Sequence, residues 1–317
     1  MNGHRVLAIL FLAGCGEATQ RRADAVADST LVIAEHATAT LEVPGYVDFL
    51  ALDGDAAWAT NEGRVEKLLA TDPKPVASVA IAQPCGAMAV DFGALWVAHC
   101  KTGTVVRVGL ASATEEARIA TGLADPTGEL SLAVGAGSVW VLSDSSGTLS
   151  RIDPATNRVV AKIPVAAGSF AAAFGFGSVW VTTTGSNSVS RIDPGTNSVV
   201  ATIPVGPVPR FLAAGEGGVW TLNQGDGTVS RIDPATDTVS ATIAAGVPGG
   251  GGDIATGGGL VWVRAKPVLL TVVDPSTNQV VRRYGPPAGS GAVRANATQV
   301  WVTAHDTHKV WVLPAIR

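Results

Sequence analysis

The sequence has 317 residues, of which 47% are hydrophobic and 15% are charged, with 37 glycines and 18 prolines. This composition excludes a disordered chain, because low charge and high apolar content are sufficient for a buried core. No apolar run approaches the ~20 residues that a helix needs to cross a bilayer. A net charge of −4 without a Lys/Arg cluster argues against a nucleic-acid partner. We expect one closed all-β domain and a monomer.

The chain begins with a short basic stretch, Met1–Arg5, and an apolar stretch, Val6–Ala13, followed by Gly and Cys15. This order resembles a bacterial lipoprotein signal, in which a cysteine after small residues is lipidated and becomes the mature N-terminus. We predict a signal peptide at residues 1–14, lipidation of Cys15, and a polar tether within residues 15–29. The alternatives are an ordinary signal peptide with an incidental cysteine, or a buried N-terminal strand.

From residue 30 onward the sequence repeats with a period near 40 residues. Each unit contains four short segments rich in β-branched residues and bounded by Gly or Asp-Pro turns, which favours strands. Apolar residues fall on both faces of these strands, as in sheets packed between neighbours. We predict an all-β fold, a seven-bladed β-propeller with four-stranded antiparallel blades over residues 30–317. Seven tryptophans mark the units, at steps of 38 to 44 residues: Trp58, Trp96, Trp140, Trp180, Trp220, Trp262 and Trp301.

The seventh unit lacks a fourth strand before Arg317, and a sequence typical of that strand occurs near the other end of the chain. The segment Ala39-Thr-Leu-Glu-Val-Pro-Gly resembles the fourth-strand text Ala201-Thr-Ile-Pro-Val-Gly. We therefore predict that the N-terminal strand joins the last blade and closes the ring, which removes an exposed sheet edge.

Two recurring features have both a structural and a functional interpretation. The Asp of each Asp-Pro turn, as in Asp153-Pro154, can accept backbone N–H groups, so we interpret it as a turn residue rather than as a metal ligand. Each marker Trp is interpreted as core rather than as a ligand platform. An alanine recurs seven residues before each Trp, and only the last unit departs from this rule, with Arg294.

The repeat text Val-Trp-Val…Val-Ser-Arg-Ile-Asp-Pro-x-Thr resembles the YVTN-type β-propeller repeat over roughly residues 38–317, with Asn61 and Asn223 at the position of its Asn. The sequence is more distantly similar to the streptogramin B lyases. That resemblance implies a seven-bladed enzyme with a His/Glu cluster and a divalent metal near the axis. Pro84-Cys85-Gly86 stands here at the position of their Pro-His-Gly.

Cys85 and Cys100 fall on the first and second strands of the second unit, around a turn at Phe92-Gly93. We expect them to face each other across this hairpin and to form a disulfide in an oxidising compartment. The alternatives are two small buried residues, or a metal pair with His99.

Propeller ligands commonly bind at the mouth of the central channel, and two residue sets are expected there. His305, Glu62 and His99 follow the marker Trp in blades seven, one and two, so they could converge as ligands of a divalent metal. The alternative is that they are solvated rim residues. The second set is polar at the start of inner strands and would bind a small polar ligand or form salt bridges: Asp48, Glu129, Arg210 and Asp253.

We therefore expect a lipid-anchored, extracytoplasmic binding scaffold whose ligand is an unidentified protein, peptide or small molecule. Its location would be the bacterial cell envelope, at the outer membrane and periplasm or the cell surface, with membrane contact through the lipid only. No cofactor is evident beyond the divalent metal of the first set. The alternative functions are a metal-dependent lyase with its site at the channel mouth, or a sensor propeller.

Overall fold

A computed structural model describes residues 29–122, 129–143 and 147–315. The predicted signal peptide, Cys15 and nearly all of the predicted tether lie outside these residues. Within the described ranges the strands form seven sheets, six of four strands and one of five. No helix among the described residues is long and apolar enough to span a membrane. The seven-bladed β-propeller predicted from the repeat is confirmed.

Blades 1 to 3 each consist of four antiparallel strands that follow one another from the channel outward. Blade 1 is formed by β3 (Leu50–Asp53), β4 (Ala56–Asn61), β5 (Arg64–Leu69) and β6 (Ala77–Ala80). Blade 2 is formed by β7 (Ala89–Asp91), β8 (Ala94–His99), β9 (Thr104–Gly109) and β10 (Glu115–Ala120). Blade 3 is formed by β11 (Leu130–Gly135), β12 (Ser138–Ser143), β13 (Thr148–Asp153) and β14 (Arg158–Pro164).

Blades 4 to 6 repeat the same order of strands. Blade 4 is formed by β15 (Ser169–Gly175), β16 (Ser178–Thr183), β17 (Ser188–Asp193) and β18 (Ser198–Pro204). Blade 5 is formed by β19 (Pro209–Gly215), β20 (Gly218–Asn223), β21 (Thr228–Asp233) and β22 (Thr238–Ile243). Blade 6 is formed by β23 (Asp253–Gly257), β24 (Leu260–Arg264), β25 (Leu270–Asp274) and β26 (Gln279–Gly285).

Blade 7 takes its strands from both ends of the propeller. Its first three strands are β27 (Val293–Ala295), β28 (Gln299–Ala304) and β29 (Lys309–Pro314), and its fourth is β2 (Ala39–Glu42). The β2 strand runs antiparallel to β29, with Thr40 opposite Trp311. The innermost strand of each blade contacts that of the next, including β27 with β3, so the ring is closed as predicted.

The segment before β2 also reaches blade 6, which the sequence did not predict. The short strand β1 (Thr30–Val32) adds in parallel to the outer edge of β26. The one-turn helix α1 (Ile33–His36) then leads to β2. Ile33 is 1% exposed and belongs to the apolar cluster that contains Tyr284 and Trp311. The N-terminal segment therefore ties blade 6 to blade 7 by packing as well as by strand pairing.

The marker tryptophans form the core, as predicted. All seven are 0% exposed on the second strand of their blades. The alanine seven residues earlier is the direct cross-strand partner, for example Ala133 opposite Trp140 and Ala213 opposite Trp220. Arg294 takes this place opposite Trp301 in blade 7. A small partner leaves room for the indole ring near the axis, where the inner strands crowd.

The arginine of the Ser-Arg-Ile-Asp-Pro text links adjacent blades, a role that the sequence analysis did not assign. The Arg151 guanidinium lies 4.9 Å from the ring centroid of Trp140. Its Nη1 donates to Pro194 O at 2.7 Å and to Asn197 Oδ1 at 2.9 Å in the next blade. Each link thus combines a cation–π contact with charge-assisted hydrogen bonds. The same arrangement recurs at Arg107, Arg191 and Arg231.

The Asp-Pro turns have the structural role predicted for them. Asp153 Oδ2 accepts from Thr156 Oγ1 at 2.7 Å, and its Oδ1 accepts from the Ala155 N–H at 2.9 Å. These two hydrogen bonds, the one from Thr156 first, lower the pKa of Asp153 because they favour its charged form. The carboxylate therefore stabilises its own turn.

Candidate ligand-binding site at the channel mouth

The four polar residues at the inner-strand starts lie at one end of the channel. Asp48 and Glu129 precede β3 and β11, whereas Arg210 and Asp253 fall within the first two residues of β19 and β23. Asp48 and Glu129 line one cavity at this mouth, and Glu129 and Asp253 line a second one that continues into the channel. The structure therefore brings these four residues, contributed by four blades, to one region.

Two of the four residues, Arg210 and Glu129, form an ion pair with each other. Arg210 Nη2 lies 3.7 Å from Glu129 Oε2, and the guanidinium carbon of Arg210 lies 4.0 Å from the ring centroid of Phe170. Glu129 is thus partly neutralised by a cation that is itself stacked on an aromatic ring. For Arg210 and Glu129, the structure therefore shows the salt bridge that was one of the two interpretations of the mouth residues.

Asp253 is neutralised by a residue that the sequence analysis did not place in the site. Its Oδ2 pairs with Arg294 Nη1 and accepts the Val293 N–H at 3.2 Å. Burial raises the pKa of Asp253, and Arg294 opposes that rise. The sequence contained an indication of this role, because Arg294 is the one residue other than alanine that stands seven positions before a marker Trp.

A second missed residue is Arg264, which is 0% exposed at the end of β24. Its Nε donates to Thr303 O at 2.9 Å, its Nη1 donates to Ala265 O at 2.6 Å, and its Nη2 donates to the Gly289 carbonyl. Burial lowers the pKa of Arg264 to about 10, and the charges of nearby aspartates including Asp48 oppose this fall. Arg264 therefore supplies a fixed positive charge behind the mouth and connects blades 6 and 7.

Asp48 has no such neutralising partner. Within the described part of the chain its carboxylate accepts no hydrogen bond and lies within 4 Å of no cation. Burial raises the pKa of Asp48 to about 7, with further contributions from the negative charges of Glu129 and Asp253, whereas Arg264 lowers it. The backbone of Asp48 is fixed, since its carbonyl accepts from Thr303 Oγ1 at 2.7 Å. The fold thus holds an unneutralised carboxyl group at the mouth.

Two adjoining cavities give access to this group. The first, which we call the vestibule, has a volume of about 400 Å³, and the second, the channel cavity, has a volume of about 280 Å³. Phe49 and Glu129 line both. The vestibule is lined by Tyr46, Asp48, Phe49, Thr60, Asn61, Glu62, Gly63, Ala82, Gln83, Pro84, Cys85, Gly86, Cys100 and Glu129. The channel cavity adds apolar residues, including Met88 just before β7 and Leu132, Phe170 and Phe211 of inner strands.

The predicted metal set is not brought together. His305 stacks on Tyr46 with ring centroids 4.2 Å apart, and its Nε2 lies 3.1 Å from the Tyr46 hydroxyl oxygen. Burial lowers the pKa of His305. His99 is buried in blade 2, whereas Glu62 is exposed. No three or more His, Cys, Asp or Glu side chains in the described ranges form a group that could hold a metal ion. The expectation that Glu62, His99 and His305 converge was therefore wrong, since each has a different environment.

The repeat asparagines have structural roles. Asn61 donates to Glu66 Oε2 at 2.7 Å and to Pro44 O at 2.9 Å, while its Oδ1 accepts the Tyr46 N–H. Asn223 is likewise bonded within its own hairpin to Thr228 and Ser230. Asn61 thus holds the loop around Tyr46 beside the vestibule, whereas Asn223 stabilises its own hairpin in blade 5.

Cys85 and Cys100 form a disulfide beside the vestibule, with their Cα atoms 6.0 Å apart. The disulfide itself agrees with the prediction. The two cysteines, however, do not lie directly opposite each other in a continuous β-hairpin, as the sequence predicted. The inner strand β7 begins only at Ala89, and the Cys85 N–H donates to Ala98 O. Gly86 interrupts the strand with φ +69°, and a Cβ there would lie 1.8 Å from Leu130 O. The register therefore shifts between the two cysteines and the turn.

Comparison with known proteins supports the assignment of the chain as a repeat protein with a β-propeller fold. The model of a family described as "Repeat of unknown function (DUF6923)" matches residues 60–202. No curated protein sequence matches the chain. With its seven closed blades, the chain is a β-propeller repeat protein.

Solved structures of enzymes share this fold. Virginiamycin B lyase from Staphylococcus aureus is 12% identical with a TM-score of 0.74, over 87% of this chain and 98% of that one. A streptogramin B lyase is 14% identical with a TM-score of 0.71, over 86% and 95%. Hydrazine synthase from Kuenenia stuttgartiensis is 18% identical with a TM-score of 0.69, over 86% and 96%. The structural resemblance to streptogramin B lyases is thereby confirmed, and at these identities it describes the fold alone. The YVTN-type assignment stays a prediction.

Proposed function

We propose that the protein is a lipid-anchored, extracytoplasmic β-propeller that binds a ligand at the mouth of its central channel. The observation that carries this proposal is the convergence of charged side chains from four blades on two adjoining cavities, with Arg210 of a fifth blade paired to one of them. Placing charged groups in a partly buried position costs free energy, so a mouth built in this way is more readily explained by binding than by stability.

The membrane location rests on the sequence around Cys15, because a lipidated cysteine followed by a polar tether would hold the propeller off the membrane surface. The Cys85–Cys100 disulfide is in keeping with export to an oxidising compartment. Metabolic labelling with a radioactive fatty acid tests this assignment. Label should enter the wild-type chain and not the Cys15→Ser variant, and equal labelling of the two would contradict lipidation at this residue.

Ligand binding at the mouth is tested by thermal-shift measurements on the full chain in detergent. The panel contains sugars, dicarboxylates, amino acids and amines. The mouth variant is Glu129→Gln, and its control is Asp55→Asn, an exposed position in the β3–β4 turn at the other end of the inner strand. At least one class should raise the Tm of the wild type and of the control more than that of the mouth variant. Equal shifts in all three proteins, or none, would contradict the proposal.

A metal-dependent lyase is the second candidate, favoured by the fold likeness to virginiamycin B lyase. The residues of this chain fit it less well, because Cys85 stands at the position of the histidine of the lyase motif and is disulfide-bonded. Elemental analysis of the purified chain separates the two candidates. Stoichiometric divalent metal, together with a Tm that falls in chelator, would favour the lyase.

A further inference from the structure

We propose that the vestibule binds a small organic cation, an amine or a guanidinium compound, whose charged nitrogen pairs with Asp48. This inference rests on the proposed function and names the chemical class of the ligand. The vestibule has a volume of about 400 Å³, which is in the range of ~300–1,000 Å³ that is usual for small-molecule pockets.

The charge of the vestibule lining has one sign. The lining residues that the structure describes include the carboxylates of Asp48, Glu62 and Glu129, and none of these described residues is a lysine, arginine or histidine. The arginines nearest to the mouth are already paired, Arg210 with Glu129 of this lining and Arg294 with Asp253. An anionic ligand would therefore meet repulsion in this cavity, whereas a cation would meet attraction.

Among the described lining residues, Asp48 is the partly buried carboxylate whose side chain has no ion pair or hydrogen bond. Glu129 is paired with Arg210, and Glu62 is exposed to solvent. A partly buried carboxylate without a cation or a hydrogen-bond donor is less stable in its charged form, and one ammonium or guanidinium group would supply both partners. The protein accordingly provides one half of an ion pair and leaves the other half to a ligand.

The walls beside Asp48 suit the carbon portion of such a ligand. Tyr46 and Phe49 both line the vestibule, and Phe49 also lines the channel cavity, where Phe170 and Phe211 follow. Aromatic rings attract cations to their faces and pack against methylene and methyl groups. The gradient from an acidic vestibule to an aromatic channel favours an amine that carries an apolar segment.

Binding of the cation should depend on pH. Asp48 pairs with a cation in its ionised form, and its pKa in the free protein is about 7. With one ionisation near pH 7, affinity should be about tenfold higher at pH 8 than at pH 6. The charged and titratable groups that face Asp48 are Tyr46, Glu129, Asp253 and Arg264. Asp253 and Arg264 are fixed by their own partners.

Isothermal titration calorimetry of the full chain in detergent tests the inference. The cationic probes are 1,4-diaminobutane and tetramethylammonium, and the controls of similar size are 1,4-butanediol and succinate. At pH 8 the Asp48→Asn variant should weaken the Kd of 1,4-diaminobutane at least about tenfold. The Asp55→Asn control should stay within about twofold, because its exposed carboxylate lies at the other end of the strand. The pH dependence should vanish in Asp48→Asn.

A second variant covers the case in which Asp48→Asn does not fold. Tyr46 is 48% exposed, so Tyr46→Ala should fold and should weaken binding of tetramethylammonium about threefold to tenfold. Equal affinity of the cationic probes for wild type and variants would overturn the inference. Binding of succinate or 1,4-butanediol without the amines would overturn the cation class while leaving a mouth-binding protein. If no compound in this panel or the thermal-shift panel binds, both proposals fail.

Discussion

Replacing Asp48 by asparagine should stabilise the protein at alkaline pH while weakening the proposed binding of cations. The pKa of this carboxyl is about 7 in the folded protein, against 3.8 for an ordinary aspartate. Between these two values the folded state keeps a proton that the unfolded state releases. The free energy of unfolding of the wild type therefore falls as the pH rises from about 4 to about 7, and Asp48→Asn lacks this loss.

The size of the effect follows from the two pKa values. A rise of about three pKa units corresponds to about 4 kcal/mol if the group is fully shielded from solvent. Asp48 retains some exposure, and Arg264 opposes the rise, so we expect about 2 kcal/mol. Relative to the wild type, the unfolding free energy of Asp48→Asn should thus increase by about 2 kcal/mol between pH 4 and pH 8.

Urea unfolding followed by tryptophan fluorescence measures this difference, because the seven marker tryptophans are fully buried in the native blades. Asp55→Asn, the exposed aspartate of the same blade, serves as the control and should show no pH-dependent difference. A difference between Asp48→Asn and wild type that is constant with pH, or that decreases toward pH 8, would refute the reasoning about this carboxyl.

Three further changes test the architecture. Arg151→Ala should lower the unfolding free energy by about 2–3 kcal/mol, because it removes the cation–π contact with Trp140 and the hydrogen bonds to blade 4. The control Arg158→Ala, at an exposed position of the same blade, should change it by less than about 0.5 kcal/mol. Equal effects of the two substitutions would contradict the role of Arg151 in linking the blades. Cys85→Ser should cost about 2–3 kcal/mol, and free thiols found by mass spectrometry in the exported wild-type protein would contradict the bridge. Deletion of residues 30–45 should lower the urea midpoint strongly, since it removes the fourth strand of blade 7, and an unchanged midpoint would disprove closure by β2.

The fold could be predicted because the sequence repeats its packing unit. Each marker Trp and its small partner define one pair of strands, and the text around Leu41 matches the outer strand that blade 7 lacks. The added strand β1 could not be predicted in this way. Its three residues carry no repeat text, and its parallel pairing with β26 exists only once the ring brings blade 6 beside the N-terminal segment.

The positions of the candidate-site residues were predicted in part. Asp48 and Glu129 were found because inner strands begin at the same end of a propeller, so polar residues there meet at the mouth. Arg294 and Arg264 were not predicted as site residues, although each is an arginine at a repeat position where the other blades have small or apolar residues. The metal set was wrong because the contact between His305 and Tyr46 depends on a loop conformation that residue spacing does not specify.

A crystal structure of the protein grown with 1,4-diaminobutane at pH 8 tests the central claim most directly. We predict the ligand in the vestibule, with one nitrogen at hydrogen-bond distance, about 2.7–3.1 Å, from a carboxylate oxygen of Asp48 and its carbon chain against Phe49. A vestibule without the ligand, in crystals where the amine is bound at another surface, would contradict the assignment of the channel mouth as the binding site.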